Sequence, residues 1–248
     1  MQGMEYFYEL FSGLPRGGPG NNETTRKAFS FIKNLNSKPL ILDIGCGPGM
    51  QTIELAKISK GNIIALDNYQ PFLDKLMEAA KSEGVDDQIT IKNQSMLNMD
   101  FENNSFDVVW SEGALYFMGV EKGLKKSYQL LKNKGYLAFS EAVYLSSNLP
   151  ETVIEFWEKE YADIKDIEGN IEMIKNSGFE LIAHFTLSKS SWFDNFYTPM
   201  EKRIQRLNKK YSDNKIALDV FDACKKEIEF YKKFSDYFGY EFFILHKA

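Results

Sequence analysis

Cysteine and histidine are scarce: Cys46, Cys224, His184 and His246 are all that 248 residues contain. Two thiols cannot build a disulfide framework and suit a reducing compartment, so a cytoplasmic location is expected. The four residues share no ligand spacing, and no zinc or other metal site is expected. Long apolar runs are missing as well. Segments such as 106–110 fall far below the roughly 18–20 residues that span a bilayer, and the first six residues lack a basic stretch followed by an apolar one. Neither a membrane partner nor a secretory signal is therefore expected. Nor is there a basic run: 30 Lys and Arg against 35 Asp and Glu give a net charge of −5, which argues against nucleic acid as a partner. A homodimer is left open.

What is present is enough chain for one large domain, able to bury roughly 70–75% of its unfolded surface without staples. Aromatics are abundant, with 20 Phe, 13 Tyr and 3 Trp. They either fill a core or line a pocket. Between residues 38 and 145, short apolar runs (40–44, 63–67, 89–91, 106–110 and 136–139) alternate with segments of helical period, the pattern of βαβ units and a parallel sheet. Helices are expected at 50–59, at 71–83 and at 121–131. The second opens on Pro71 and aligns Phe72, Leu73, Leu76, Met77 and Ala80; the third is stopped by Lys132-Asn133-Lys134-Gly135. Residues 1–37 form a helical segment with a turn-rich stretch, 13–20, that reads as a mobile lid. Residues 146–248 complete the same domain, with helical segments at 150–163 and 168–177, a strand at 179–187, helices over 199–238 and a last strand at 240–246. The helical stretch of about 192–238 therefore reads as a cap between the last two strands.

The strongest local signal is Asp43-Ile44-Gly45-Cys46-Gly47-Pro48-Gly49, between the first expected strand and the first helix. Glycines there let the backbone turn sharply and approach a ligand, and the helix N-terminus adds free N–H groups. Asp67, ending the second strand, is placed to accept both hydroxyls of a ribose. A local alternative makes it a helix cap, since Asp67-Asn68-Tyr69-Gln70-Pro71 leads into a helix. The spacing departs from the G-x-G-x-x-G dinucleotide fingerprint, because Met50 occupies its sixth position.

This glycine loop, Asp67, the Gln94-Ser95-Met96 turn and Phe106-Asp107-Val108-Val109, in this order over residues 38–145, resemble successive motifs of class I S-adenosylmethionine-dependent methyltransferases of the small-molecule type. The resemblance implies an α/β fold with a Rossmann-like seven-stranded sheet, its last strand antiparallel and helices on both faces. It also implies S-adenosyl-L-methionine as cofactor and S-adenosyl-L-homocysteine as product. Carried over by position, Gly45, Gly47 and Gly49 would pack against the methionine part beside Asp43, Asp67 would hold the ribose, Asn68 and Phe72 would flank the adenine, and Ser95 or Met96 would meet the adenine amine where the family commonly has an acid.

Methyl transfer from a sulfonium needs mainly alignment, which supplies roughly 7–11 kcal/mol of barrier reduction, and a base only for a protonated acceptor. Two carboxylates follow expected strands: Glu112 is expected to border the methyl-transfer site and Glu141 to meet the acceptor. Arg16, in the lid, is expected near the cofactor carboxylate. Tyr116, Tyr144, Trp192 and Tyr197 are the expected walls of the acceptor pocket. Ser111-Glu112-Gly113-Ala114 has neither the prolines nor the amide of the turn that stacks a flipped DNA base, which favours a small-molecule acceptor. His184 and His246 read as hydrogen-bonded strand residues. Two other functions stay open: a nicotinamide-dependent oxidoreductase, and an S-adenosylmethionine-binding protein without catalysis.

Overall fold

Side-chain alternation along the strands decides which layer each residue covers. The computed structural model describes residues 3–248. In chain order its elements are α1 (Met4–Ser12), α2 (Asn22–Ser30), β1 (Leu40–Ile44), α3 (Met50–Ser59), β2 (Asn62–Asp67), α4 (Gln70–Ser82), β3 (Ile89–Asn93), β4 (Phe106–Glu112), α5 (Val120–Leu130), β5 (Leu131–Tyr144), α6 (Glu151–Glu160), β6 (Lys165–Asp166), α7 (Ile167–Asn176), β7 (Glu180–Thr186), α8 (Ser190–Trp192), a π turn (Phe193–Tyr197), α9 (Thr198–Lys210), α10 (Lys215–Phe234) and β8 (Phe238–His246). Ile41, Val108, Trp110 and Phe242 project to one face of the sheet, with Leu55 and Leu76 from α3 and α4. Leu42, Ile44, Val109 and Phe243 project to the other, with Leu124 of α5 and Ile174 of α7.

The strands run in the order β3-β2-β1-β4-β5-β8-β7, with the short β6 beside the end of β5. β8 runs antiparallel to β5 and β7 while the other pairings are parallel, so the expected seven-stranded path is present with β6 as an addition. Helix starts follow their local chemistry. Asn21 accepts from Thr24 N (2.8 Å), Asp166 from Gly169 N (2.8 Å) and Asn214 from Ala217 N (3.1 Å), each filling an orphan donor of a first turn.

Two expectations change. Residues 132–135, read as a helix stop, belong to β5. Lys134 N donates to Lys247 O (2.8 Å) and Lys247 N to Gly135 O (2.9 Å). This pairing with the far end of the chain overrides the local turn signal. The 13–20 stretch, read as a mobile lid, is tied down at several points. Gly20 N donates to Ser191 O (2.8 Å), Lys75 Nζ reaches the Leu14 carbonyl, and the Arg16 guanidinium pairs with Glu112.

The helices between β7 and β8 form the expected cap. With α1 they bury a third cluster, in which Leu10, Tyr197, Phe221, Ile228 and Tyr231 pack together. It lies beyond the carboxyl ends of the strands, so that edge of the sheet is roofed rather than open.

Candidate active site

The glycine loop is built by backbone that only glycine adopts without strain. Gly45, Gly47 and Gly49 have φ of 71°, 54° and 89°. A Cβ on Gly49 would stand 2.1 Å from Leu76 Cδ1, and one on Gly45 2.5 Å from Ala114 Cβ, so two of the three also close helix and loop packing. A Cβ on Gly47 would meet only Gly17 N, at 3.9 Å. Space therefore remains over Gly47, and the lid backbone borders it.

Three carboxylates hold this edge. Asp43 lies under the loop, fully buried; Oδ2 accepts from Thr52 Oγ1 (2.6 Å), while Oδ1 has no partner. Burial pushes its pKa up to about 7. Asp67 is half-buried and accepts Gly47 N on Oδ2 (2.9 Å) and Tyr69 N on Oδ1 (3.0 Å), with burial raising its pKa. It thereby ties the glycine loop to β2; the N-cap of α4 is Tyr69, so the capping alternative is set aside. Glu112 ends β4 with both oxygens engaged. Oε2 meets the Arg16 guanidinium, and Oε1 accepts from Thr25 Oγ1 (2.8 Å) and Trp110 Nε1 (2.9 Å). Arg16 is itself buried, and its Nη1 has no partner.

Beside β4 and β5 a cavity of about 210 Å³ lies between the sheet edge and the cap. Tyr116, Trp157, Tyr161, Trp192, Tyr197 and Tyr240 contribute its aromatic walls, and Glu141, Glu160 and Glu227 its carboxylates. Glu141 is 1% exposed; Oε1 accepts only from Ala142 N (3.0 Å) and Oε2 has no partner. Burial pushes its pKa up to about 8. Tyr197 hydroxyl donates to Glu227 Oε1 (2.8 Å). The cavity abuts the glycine loop through two residues: Ala114 packs on Gly45, and a Cβ on the adjacent Gly113 would lie 3.5 Å from the Tyr240 hydroxyl.

Comparisons with known proteins meet this geometry. Residues 41–135 match the family model described as a methyltransferase domain. A sterol 24-C-methyltransferase of Saccharomyces cerevisiae is 29% identical over 65% of this chain and 44% of its own length. Phosphoethanolamine N-methyltransferase 1 of Zea mays is 23% identical over 83% of this chain and 40% of its own. The chain thus spans about two fifths of the length of these curated relatives. A solved methyltransferase from Geobacter sulfurreducens, in complex with S-adenosyl-L-homocysteine, superposes with a TM-score of 0.86 over 98% of both chains at 16% identity. Residues 41–135 are thus similar to a methyltransferase domain, and the sheet has the fold of that solved methyltransferase.

Within this fold the expected site residues divide. Gly45, Gly47, Gly49, Asp43, Asp67, Arg16 and Glu112 converge around the loop. Met96 joins them, its Cε 3.4 Å from a Cβ placed on Gly45. Asn68 is exposed at the rim, and Ser95 spends its hydroxyl on capping the turn at Met96–Asn98. Phe72, expected beside the adenine, is buried in the cap cluster against Tyr8 and Tyr69. Glu112, expected to act at the methyl-transfer site, has no free oxygen and serves as the anchor of Arg16. Tyr116, Trp192 and Tyr197 line the cavity with Glu141, whereas Tyr144 lines a separate surface groove with Ser146 and Lys165. The reason is pleat: Tyr144 ends β5 three residues past Glu141, on the opposite side of the strand. His184 is half-exposed, with Nδ1 2.6 Å from Glu241 Oε1, and His246 rests on Tyr136; neither reaches the site.

Sequence reading missed Tyr161, Glu227 and Tyr240. Glu227 did carry a signal. It falls on the buried stripe of α10 formed by Cys224, Ile228 and Tyr231, where a carboxylate needs a reason.

Proposed function

We propose that the protein transfers a methyl group from S-adenosyl-L-methionine to a small-molecule acceptor, leaving S-adenosyl-L-homocysteine. The observation that carries this reading is the buried Arg16 Nη1, unpartnered beside the glycine loop. An orphaned guanidinium nitrogen in a dry site asks for an anion, and the carboxylate of the cofactor's methionine part supplies one. Asp67, bordering the same loop, suits the ribose hydroxyls, and the open space over Gly47 admits a close ligand. When bound, the cofactor supplies an electrophilic methyl on a sulfonium sulfur.

The protein's own residues then orient and shield. Glu112 is a positioning residue, holding Arg16 and through it the lid over the loop. The cap excludes water from the acceptor side. Glu141 is the group placed to take a proton from an acceptor, because its Oε2 is free and its raised pKa suits a base working near neutrality. Among the described residues no three or more His, Cys, Asp or Glu converge as metal ligands, and no helix is long and apolar enough to cross a membrane. Two free, buried cysteines support a cytoplasmic setting.

Calorimetry with S-adenosylhomocysteine, S-adenosylmethionine and NAD tests the cofactor. Binding of the first two without NAD is expected; NAD binding alone would replace this reading with an oxidoreductase. Cofactor consumption against a metabolite panel tests catalysis. No turnover with any acceptor, despite tight cofactor binding, would favour a binding protein instead.

A further inference from the structure

The cavity beside Glu141 is built for more than methyl transfer requires. Its lining holds three carboxylates and no Lys, Arg or His. Trp157 and Trp192 leave their indole Nε1 atoms buried without partners, and Glu141 leaves Oε2 in the same state. The nearest base to any of the three acids is Lys159, on Glu160 at 3.2 Å; its side chain is 83% exposed, outside the walls.

Resting on the methyl-transfer reading, we propose that this cavity is the acceptor site and selects a small organic ammonium ion, R–NH3+ or a partly N-methylated form. Aromatic faces carry negative potential and attract cations within about 6 Å, most strongly where water is excluded. Trp192 is fixed by stacking on Tyr231 at 4.0 Å and sits 5.3 Å from Tyr240; Tyr116 and Tyr161 are 5.4 Å apart. These rings are held in place before any ligand arrives. The buried Glu141 carboxylate, unpaired, is costly to ionise; an ammonium supplies the missing counter-charge and the missing donor together.

The same features exclude other acceptors. A phosphorylated or carboxylated molecule would set its anion against three acids without one cation in the walls. A volume of about 210 Å³ lies below the roughly 300–1,000 Å³ of pockets for drug-sized ligands, which favours a small acceptor over a sterol skeleton. Proton transfer from R–NH3+ to Glu141 Oε2 leaves a carboxylic acid and a neutral amine; the N–H electron pair becomes the lone pair of the nucleophile, and charge balances.

The test compares ethanolamine, as its ammonium ion, with the neutral isostere propan-1-ol, titrated into the full chain with and without S-adenosylhomocysteine, by calorimetry and by intrinsic tryptophan fluorescence. Ethanolamine is expected to bind at least 10-fold more tightly than the alcohol, and Glu141→Gln to reduce that preference at least 5-fold. Should Glu141→Gln fail to fold, Glu227→Gln and Trp192→Leu read the same preference. Equal binding of the two probes, or tighter binding of O-phosphoethanolamine or of a sterol, overturns the proposal. Ethanolamine selectivity without any S-adenosylhomocysteine binding would sink the methyl-transfer reading and leave the cation site standing; S-adenosylhomocysteine binding without selectivity would sink the cation site alone.

Discussion

Arg16 and Glu112 form a buried ion pair that joins the lid to the end of the central strand across 96 positions of sequence. Neither partner has solvent to fall back on, and Glu112 is held by Thr25 and Trp110 besides. Removing one member leaves a buried charge uncompensated, which costs about 3–5 kcal/mol, whereas removing both is often close to neutral. Arg16→Met is thus expected to lower the urea midpoint strongly, and Arg16→Met with Glu112→Met to recover much of the loss. An Arg16→Met protein with the parent midpoint would show that the pair does not hold the lid.

The three loop glycines are expected to respond differently to alanine. Each substitution forces a left-handed backbone, costing roughly 1–2 kcal/mol. Gly49→Ala adds the clash with Leu76, a further 1–3 kcal/mol or so of overpacking. Gly47→Ala meets open space, so its stability cost should match that of Gly84→Ala, a surface glycine with φ of 67° and nothing within 4 Å. Its loss should fall instead on S-adenosylhomocysteine affinity, read by calorimetry. Gly47→Ala with parental affinity would remove the ligand from that space.

Asp67 gives a sharper ligand test. Its two oxygens accept Gly47 N and Tyr69 N, leaving lone pairs toward the loop's open side. Asp67→Ala should weaken S-adenosylhomocysteine at least 10-fold, about 1.4 kcal/mol. The free base adenine, which lacks the ribose, should bind parent and variant alike. An equal loss for both would assign Asp67 to loop shape rather than ribose recognition.

Stability should fall as pH rises. Burial lifts Asp43 to about 7 from an ordinary 3.8 and Glu141 to about 8 from 4.5. Both acids bind their proton more tightly folded than unfolded, so their contribution is fully present below about pH 4 and is lost progressively up to pH 7–8. Of the groups around Asp43, the Thr52 hydroxyl and Arg16 oppose the rise while Glu112 and Asp67 add to it, and Glu141 faces the phenols Tyr116, Tyr161 and Tyr240. Urea midpoints between pH 5 and 8 should decline, and Asp43→Asn and Glu141→Gln should flatten the decline. A parent profile that rises over this window would contradict the burial of these two acids.

The glycine-loop half of the candidate site was legible because its causes are local. Asp43, the three glycines and Asp67 lie within one βαβ unit, where strand ends and a tight turn dictate their mutual position. Glu112 and Glu141 were found by the same logic, as residues at strand ends, but their roles were not. Whether a carboxylate is committed or free depends on what reaches it, and Arg16 and Thr25 reach Glu112 from a segment whose path the sequence does not show. Tyr144 shows the limit from the other side: three positions along the strand from Glu141, it faces a different groove.

By itself, the sequence determined the parallel core, the glycine loop with its acidic partner, and the presence of a helical cap, because hydrophobic period, turn chemistry and strand ends act over a few residues. Only the tertiary structure decided that β8 captures residues 132–135 as strand, that the lid is pinned through Arg16, and that Glu141, Glu227 and rings from five elements enclose one small acidic cavity. Those outcomes rest on burial and pairing between segments far apart in the sequence, and neither a period nor a motif reports what such segments meet.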